Sequence, residues 1–172
     1  MKRWLILAVL SRALWAAPAA DDVWKVVEAA GIPREMAQLH NPEAFPEVAA
    51  IGCQHPDRGM ELKAIYFEGR YCSPNQATSG QVAKLDADSA VTWVTQVLLS
   101  FEQPCLTSPS EFVGLTTYIQ PVAQPDGAGG FKVRLWVKEG KGEFTLRQYH
   151  LTPQGVRLTI QQRWRPKSGP GA

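Results

Sequence analysis

Enzymatic and cofactor signatures are missing from this chain. It has no Gly-x-Ser-x-Gly elbow, no His-Glu-x-x-His zinc helix and no Gly-rich loop placed after a strand to cradle a phosphate. Histidine is scarce, at 3 of 172 residues, and so is cysteine, also at 3. The reading is therefore non-enzymatic, with no cofactor and no metal. Cys53 and His55 have plausible ligand spacing, with Asp57, Cys72, His40 and His150 as remote candidates, but no second closely spaced pair accompanies them. Carboxylates such as Glu61 and Glu68 carry no catalytic pattern. Long apolar runs are lacking as well. The stretch Trp4 to Leu10 is far short of the ~20 residues needed to span a bilayer, and Arg12 breaks the apolar character just beyond it.

What is present at the start is the order of a secretory signal peptide. Met1, Lys2 and Arg3 give a basic beginning, the apolar run comes next, and Ala17-Pro18-Ala19 supplies small residues for cleavage. The expected organisation is a signal peptide over 1–20, one α+β domain over 21–165 and a flexible tail over 166–172. Export to the periplasm or medium is implied, with no transmembrane segment in the mature chain. In such a compartment two of Cys53, Cys72 and Cys105 are expected to form a disulfide, with all three pairings open. Cys53 with Cys105 is favoured, because a single strand over residues 60–71 carries Cys72 away while a returning helix brings Cys105 back. Ala50-Ile51-Gly52-Cys53 has a faint look of a lipobox, but it sits far downstream of the apolar run that such a box must follow.

Charge is bland in total and divided along the chain. From Asp21 to Gly130 there are fourteen acidic and six basic residues, or −8; from Phe131 onward there are nine basic and two acidic, or +7. Such asymmetry suits either an anionic partner for the basic end or two complementary halves of one fold.

Hydrophobic periodicity predicts the elements. Asp21 or Asp22 caps a short helix carrying Val23, Val26, Val27 and Ala30, ended by Gly31 and Pro33; Pro33 to Leu39 adds a turn or two, and Val48 to Cys53 a short extended piece. Met60 to Tyr71 reads as one strand touching protein on both sides, and Ser73 to Lys84 as a surface loop. Asp86 to Gln103 reads as a long central helix, with Ala87, Ala90, Val91, Val94, Val97, Leu98 and Phe101 in one stripe. The period then changes to two over Phe112 to Ile119, Phe131 to Val137, Phe144 to Leu151 and Val156 to Trp164. Ala128-Gly129-Gly130 reads as a flexible hairpin tip. The fold class is thus α+β: an antiparallel four- to five-stranded meander wrapped around one long central helix, with a short N-terminal helix.

Strand, helix and meander in that order is similar to cystatin-like folds and to cone-shaped sheet domains such as the nuclear transport factor two-like ones. Cystatin inhibitors carry Gln-x-Val-x-Gly after the second strand. Here Gln120-Pro121-Val122-Ala123 ends in Gln124, so the resemblance stops at element order and implies no inhibitory activity.

The candidate binding face comes from alternation in the meander. With Val133, Leu135, Phe144 and Leu146 turned inward, Lys132, Arg134, Trp136, Lys138, Arg147, Tyr149, Arg157 and Arg163 share the outer surface. Guanidinium groups hold phosphates or carboxylates through paired hydrogen bonds, and exposed rings stack on bases or sugars. The leading expectation is an envelope or secretion-related protein as partner. The alternative is a polyanion, such as DNA or a phosphorylated envelope polymer. A small-molecule or hydrolytic pocket inside the cone of the sheet is a third reading.

Overall fold

The computed structural model describes residues 18–108, 118–139 and 142–165. Residues 1–17 of the signal peptide expected over 1–20, most of the strand expected at Phe112 to Ile119 and the tail over 166–172 lie outside the described residues. The fold is α+β with antiparallel sheets and three helices, in the order α1 (Ala20–Ala29), β1 (Ala37–His40), β2 (Ala49–His55), β3 (Gly59–Phe67), β4 (Arg70–Cys72), α2 (Pro74–Gln81), α3 (Ala87–Trp93), β5 (Gln103–Cys105), β6 (Val122–Pro125), β7 (Phe131–Lys138), β8 (Phe144–Thr152) and β9 (Gly155–Trp164).

Two sheets replace the one expected. The first has the order β1-β2-β3-β4; the second runs β5-β7-β8-β9, with β6 also paired to β7. The predicted strand over Met60 to Tyr71 is really a hairpin, because Glu68 (φ 49°) and Gly69 (φ 76°) turn the chain before Arg70. Its two-sided packing holds. Ala64 meets Val23 and Val27 of α1 together with Ala49 and Ile51, while Ile65 and Phe67 meet the helices behind. The lipobox-like run is interior strand, with Ala50 and Ile51 fully buried.

Helix α1 starts earlier than its acids suggest. Ala19 occupies the cap position without a side-chain bond, and Asp21 and Asp22 sit in the first turn, where they complement the positive end of the helix. Ser73 to Lys84, expected as a loop, is helical. Ser73 accepts from the Gln76 amide, Gln76 Oε1 accepts from the Ser73 amide, and Pro74 occupies the first turn.

The long central helix is shorter than expected. Asp86 caps it through Ser89, it runs as α-helix to Trp93, and it finishes as a π-helical stretch over Val94–Leu98, closed by Leu99 N to Val94 O at 2.9 Å. Residues 99–102 turn, and Gln103 begins β5. The wide π turn swings the chain out of the helical stripe so that Phe101 and Glu102 approach the sheets. Helices α2 and α3 lie between the two sheets. Trp93 is the centre of that layer, edge-on to Phe45 (5.1 Å) and Phe67 (6.5 Å), with its indole N–H given to Thr78 Oγ1.

Candidate functional site

The registers of β7, β8 and β9 decide which meander side chains reach solvent. Val133 lies opposite Tyr149, Leu135 opposite Arg147, and Val137 opposite Thr145. Directly opposed residues of an antiparallel pair project to the same face. Arg147 and Tyr149 therefore share the inner face with Val133 and Leu135, and their expected place on the outer surface is overturned. Tyr149 is 5% exposed within the main core, and Arg147 is 8% exposed. Phe144 and Leu146, expected inward, lie on the other face.

Trp136 is also displaced from the expected surface. It is 1% exposed and packs with Cys105, Phe144 and Leu146, under Tyr118, Ile119 and Trp164. The far half of the outer face is thus a second small core. A bulge shifts β9 between the partners of Leu146 and Arg147, so that Gln161 is the extra residue and Arg163 falls opposite Thr145 on the inner side. Of the eight candidates, Lys132, Arg134, Lys138 and Arg157 keep the outer parity. Lys132 opposes His150, which opposes Arg157, and Arg134 lies in the next row beside Gln148 and Thr159. Lys132, Arg134 and Arg157 have no ion pair among the described residues.

At the loop end of this basic patch, Asp126 organises the turn that looked like a flexible tip. Its Oδ1 accepts from the Ala128 and Gly130 amides, both at 2.8 Å, and Oδ2 meets His150 Nε2 at 2.7 Å. The His150 bond and these two amides hold its carboxyl down at about 2. Gly130 is needed there for space: a Cβ would come within 2.2 Å of the Leu151 carbonyl oxygen.

The inner face holds a different arrangement, which sequence alternation missed. Arg147 Nη2 meets Glu102 Oε2 at 2.5 Å and Glu139 Oε1 at 2.7 Å, Nη1 donates to Tyr149 Oη at 3.0 Å, and Nε donates to Thr145 Oγ1 at 3.2 Å. Thr145 in turn donates to Glu139 at 2.6 Å. This cluster lines an open cleft of about 780 Å³ between the β2–β3 turn, the end of the π turn and the end of β7, with Asp57, Arg58 and Glu61 on the opposite wall. Burial works against the charge of Arg147, but the Glu102 and Glu139 carboxylates outweigh it and raise its pKa. Burial likewise pushes the Glu139 carboxyl up; Thr145 and Arg147 overcome it, leaving Glu139 lowered. Glu139 is therefore ionised at neutral pH and is a poor proton donor.

The disulfide expectation is corrected, since no cysteine pair is joined among the described residues. Cys53 faces Glu61 and Cys72 faces Ile65 on opposite sides of β3. Four residues along the strand and two strand spacings separate their Cα atoms by on the order of 15 Å, well beyond the reach of a bridge. Cys105 belongs to the second sheet. Burial pushes the Cys53 and Cys72 thiols up, away from nucleophilic reactivity. His55 is engaged by the Asp57 amide and by Arg58, both at 3.2 Å, and no group of three metal-ligating side chains occurs among the described residues. None of the described helices is long and apolar enough to cross a membrane. No protein-family model, no curated protein and no solved structure matches this chain.

Proposed function

We propose that this chain is a non-enzymatic accessory protein, exported from the cytoplasm, that binds a protein partner of the cell envelope or secretion machinery through the exposed part of its C-terminal sheet. The observation that carries the reading is the cluster of Lys132 and Arg134 on β7 and Arg157 on β9, on one face of the sheet with His150 of β8 between Lys132 and Arg157, and without ion pairs among the described residues. In a chain whose first half is strongly acidic, internal pairing was the competing use for these charges. Cations left in solvent on a rigid sheet are preorganised for carboxylates or phosphates of another molecule. The basic and apolar order of residues 1–20 supports export.

A polyanion is the second reading, and the same patch favours it. One experiment separates the two. The wild type and a Lys132→Glu, Arg134→Glu, Arg157→Glu variant are compared for capture of partners from the host envelope, and for binding of single- and double-stranded DNA across a salt series. The protein-partner reading expects a captured protein that the variant loses at unchanged thermal stability, with weak DNA binding. DNA binding that weakens steeply with salt and vanishes in the variant puts the polyanion first, because neutralised phosphates release counterions. Equal behaviour of wild type and variant overturns both.

The cleft beside Arg147 offers a small-molecule reading, favoured by its size and converging polar groups. Glu102 and Glu139 are committed to Arg147 and Glu61 to Arg58, which suits holding a ligand better than transferring protons.

A further inference from the structure

Strand β9 forms one edge of the second sheet, paired to β8 alone among the described residues. It is ten residues long, and every residue from Arg157 to Arg163 is exposed. Natural edges of this length are normally covered, because a row of unpaired N–H and C=O groups invites another strand. Helix α2 covers only the beginning: Asn75 Oδ1 accepts the Val156 amide at 3.0 Å, and Ser79 donates to the Pro153 carbonyl. That first bond also sets the direction of the groups beyond it. Peptide groups alternate sides along a strand, so the outward amide at Val156 implies outward N–H and C=O at Leu158 and Ile160. The bulge at Gln161 then breaks the regular ladder.

Those same two positions carry apolar side chains in water. Leu158 is 46% exposed and Ile160 is 44% exposed, on one face of the strand. Arg157 and Arg163 flank them and β9 contains no acidic residue, while Arg165, two residues later, is already paired with Glu143. A second copy of β9 is a poor occupant. It would bring the arginines of one strand beside those of another with no acidic residue on either, and like charges side by side are destabilising. An acidic strand meets no such penalty.

We infer that the free edge of β9 is a strand-addition site that takes an extended segment of a partner protein with apolar residues alternating with Asp or Glu. Main-chain bonds at Leu158 and Ile160 supply the register, their side chains meet the apolar positions of the added strand, and Arg157, on the opposite face, selects its carboxylates. This rests on the protein-partner reading and names how the partner docks.

The test uses a labelled peptide of alternating Glu and Val, read by fluorescence anisotropy against the full chain. Two further peptides accompany it: one with Lys in place of Glu, and one N-methylated at alternate residues to remove the donors facing β9 while keeping every charge. Leu158→Pro removes the outward donor at a position where an edge strand tolerates proline. The acidic peptide is expected to bind, the Lys peptide to show no binding, and both the N-methylated peptide and the Leu158→Pro protein to bind at least about tenfold more weakly. Equal binding of the methylated peptide overturns strand addition even if Leu158→Pro proves unstable. If the Lys132→Glu, Arg134→Glu pair abolishes that methylation-insensitive binding, the basic-face reading survives while the edge reading falls. No binding of the acidic peptide also overturns the edge site and leaves the face to its own capture experiment. Concentration-dependent dimerisation that Leu158→Pro abolishes assigns the edge to a second copy, against the proposal.

Discussion

Arg147 is where charge, burial and packing meet most closely. A guanidinium 8% exposed holds two carboxylates, a hydroxyl and a phenol, so its five donors are largely spent inside the fold. Tyr149 shares the consequence. Burial raises its phenol to about 12 despite the opposing pull of Arg147, against an ordinary value of 10. A raised pKa means that the folded state keeps the proton more tightly than the unfolded chain does. Its contribution is complete below pH 10 and is lost as pH rises from 10 through about 12, by up to about 3 kcal/mol. Denaturant titrations of the wild type should show stability falling over that window, and Tyr149→Phe should flatten most of the fall. Tyr71, Tyr118 and the Cys53 and Cys72 thiols, also raised by burial, contribute to the remainder. An identical alkaline profile in the Phe variant contradicts this reading of the site.

At the scale of elements, what the sequence made legible depended on whether periodicity or partner choice decided the outcome. Helix α3 was readable because Asp86, Ala90, Val94 and Val97 follow helical spacing; its early end was not, since the π turn at Val94–Leu98 answers to packing around Trp93. Helix α2 escaped because its residues are polar and small, yet its signal was present in Ser73, Pro74 and Gln76. That cap should be worth about 1 kcal/mol, measurable as a lowered urea midpoint in Ser73→Ala with unchanged slope. No change in midpoint contradicts the role given to the cap. For β8 the pattern itself misled. Phe144 and Leu146 are apolar and Thr145, Arg147 and Tyr149 are polar, so alternation assigns the apolar set to the core. Both sets are buried, because Cys105, Tyr118, Ile119 and Trp164 cover one face while α3 and the Glu102 cluster cover the other. Alternation predicts one buried face, and this strand has two.

For the whole molecule, the acidic first half and the basic second half are complementary only in part. The contacts that link them include Arg147 to Glu102 and His150 to Asp126, whereas Lys132, Arg134 and Arg157 are left on the outer sheet without such ion pairs among the described residues. The sequence alone could locate that charge and could not tell which cations were spent internally, since the answer lay in strand register and in the bulge at Gln161. The outer sheet is then the proposed contact surface and the α1 side a bystander. Photo-cross-linking tests this most directly, with a photoreactive residue placed at Arg134 or, separately, at exposed Glu35 beside α1, and the protein returned to its native compartment. The expected result is a discrete protein adduct from position 134 and none from position 35. Adducts from position 35 alone, or from neither position, contradict a partner docked on the outer sheet.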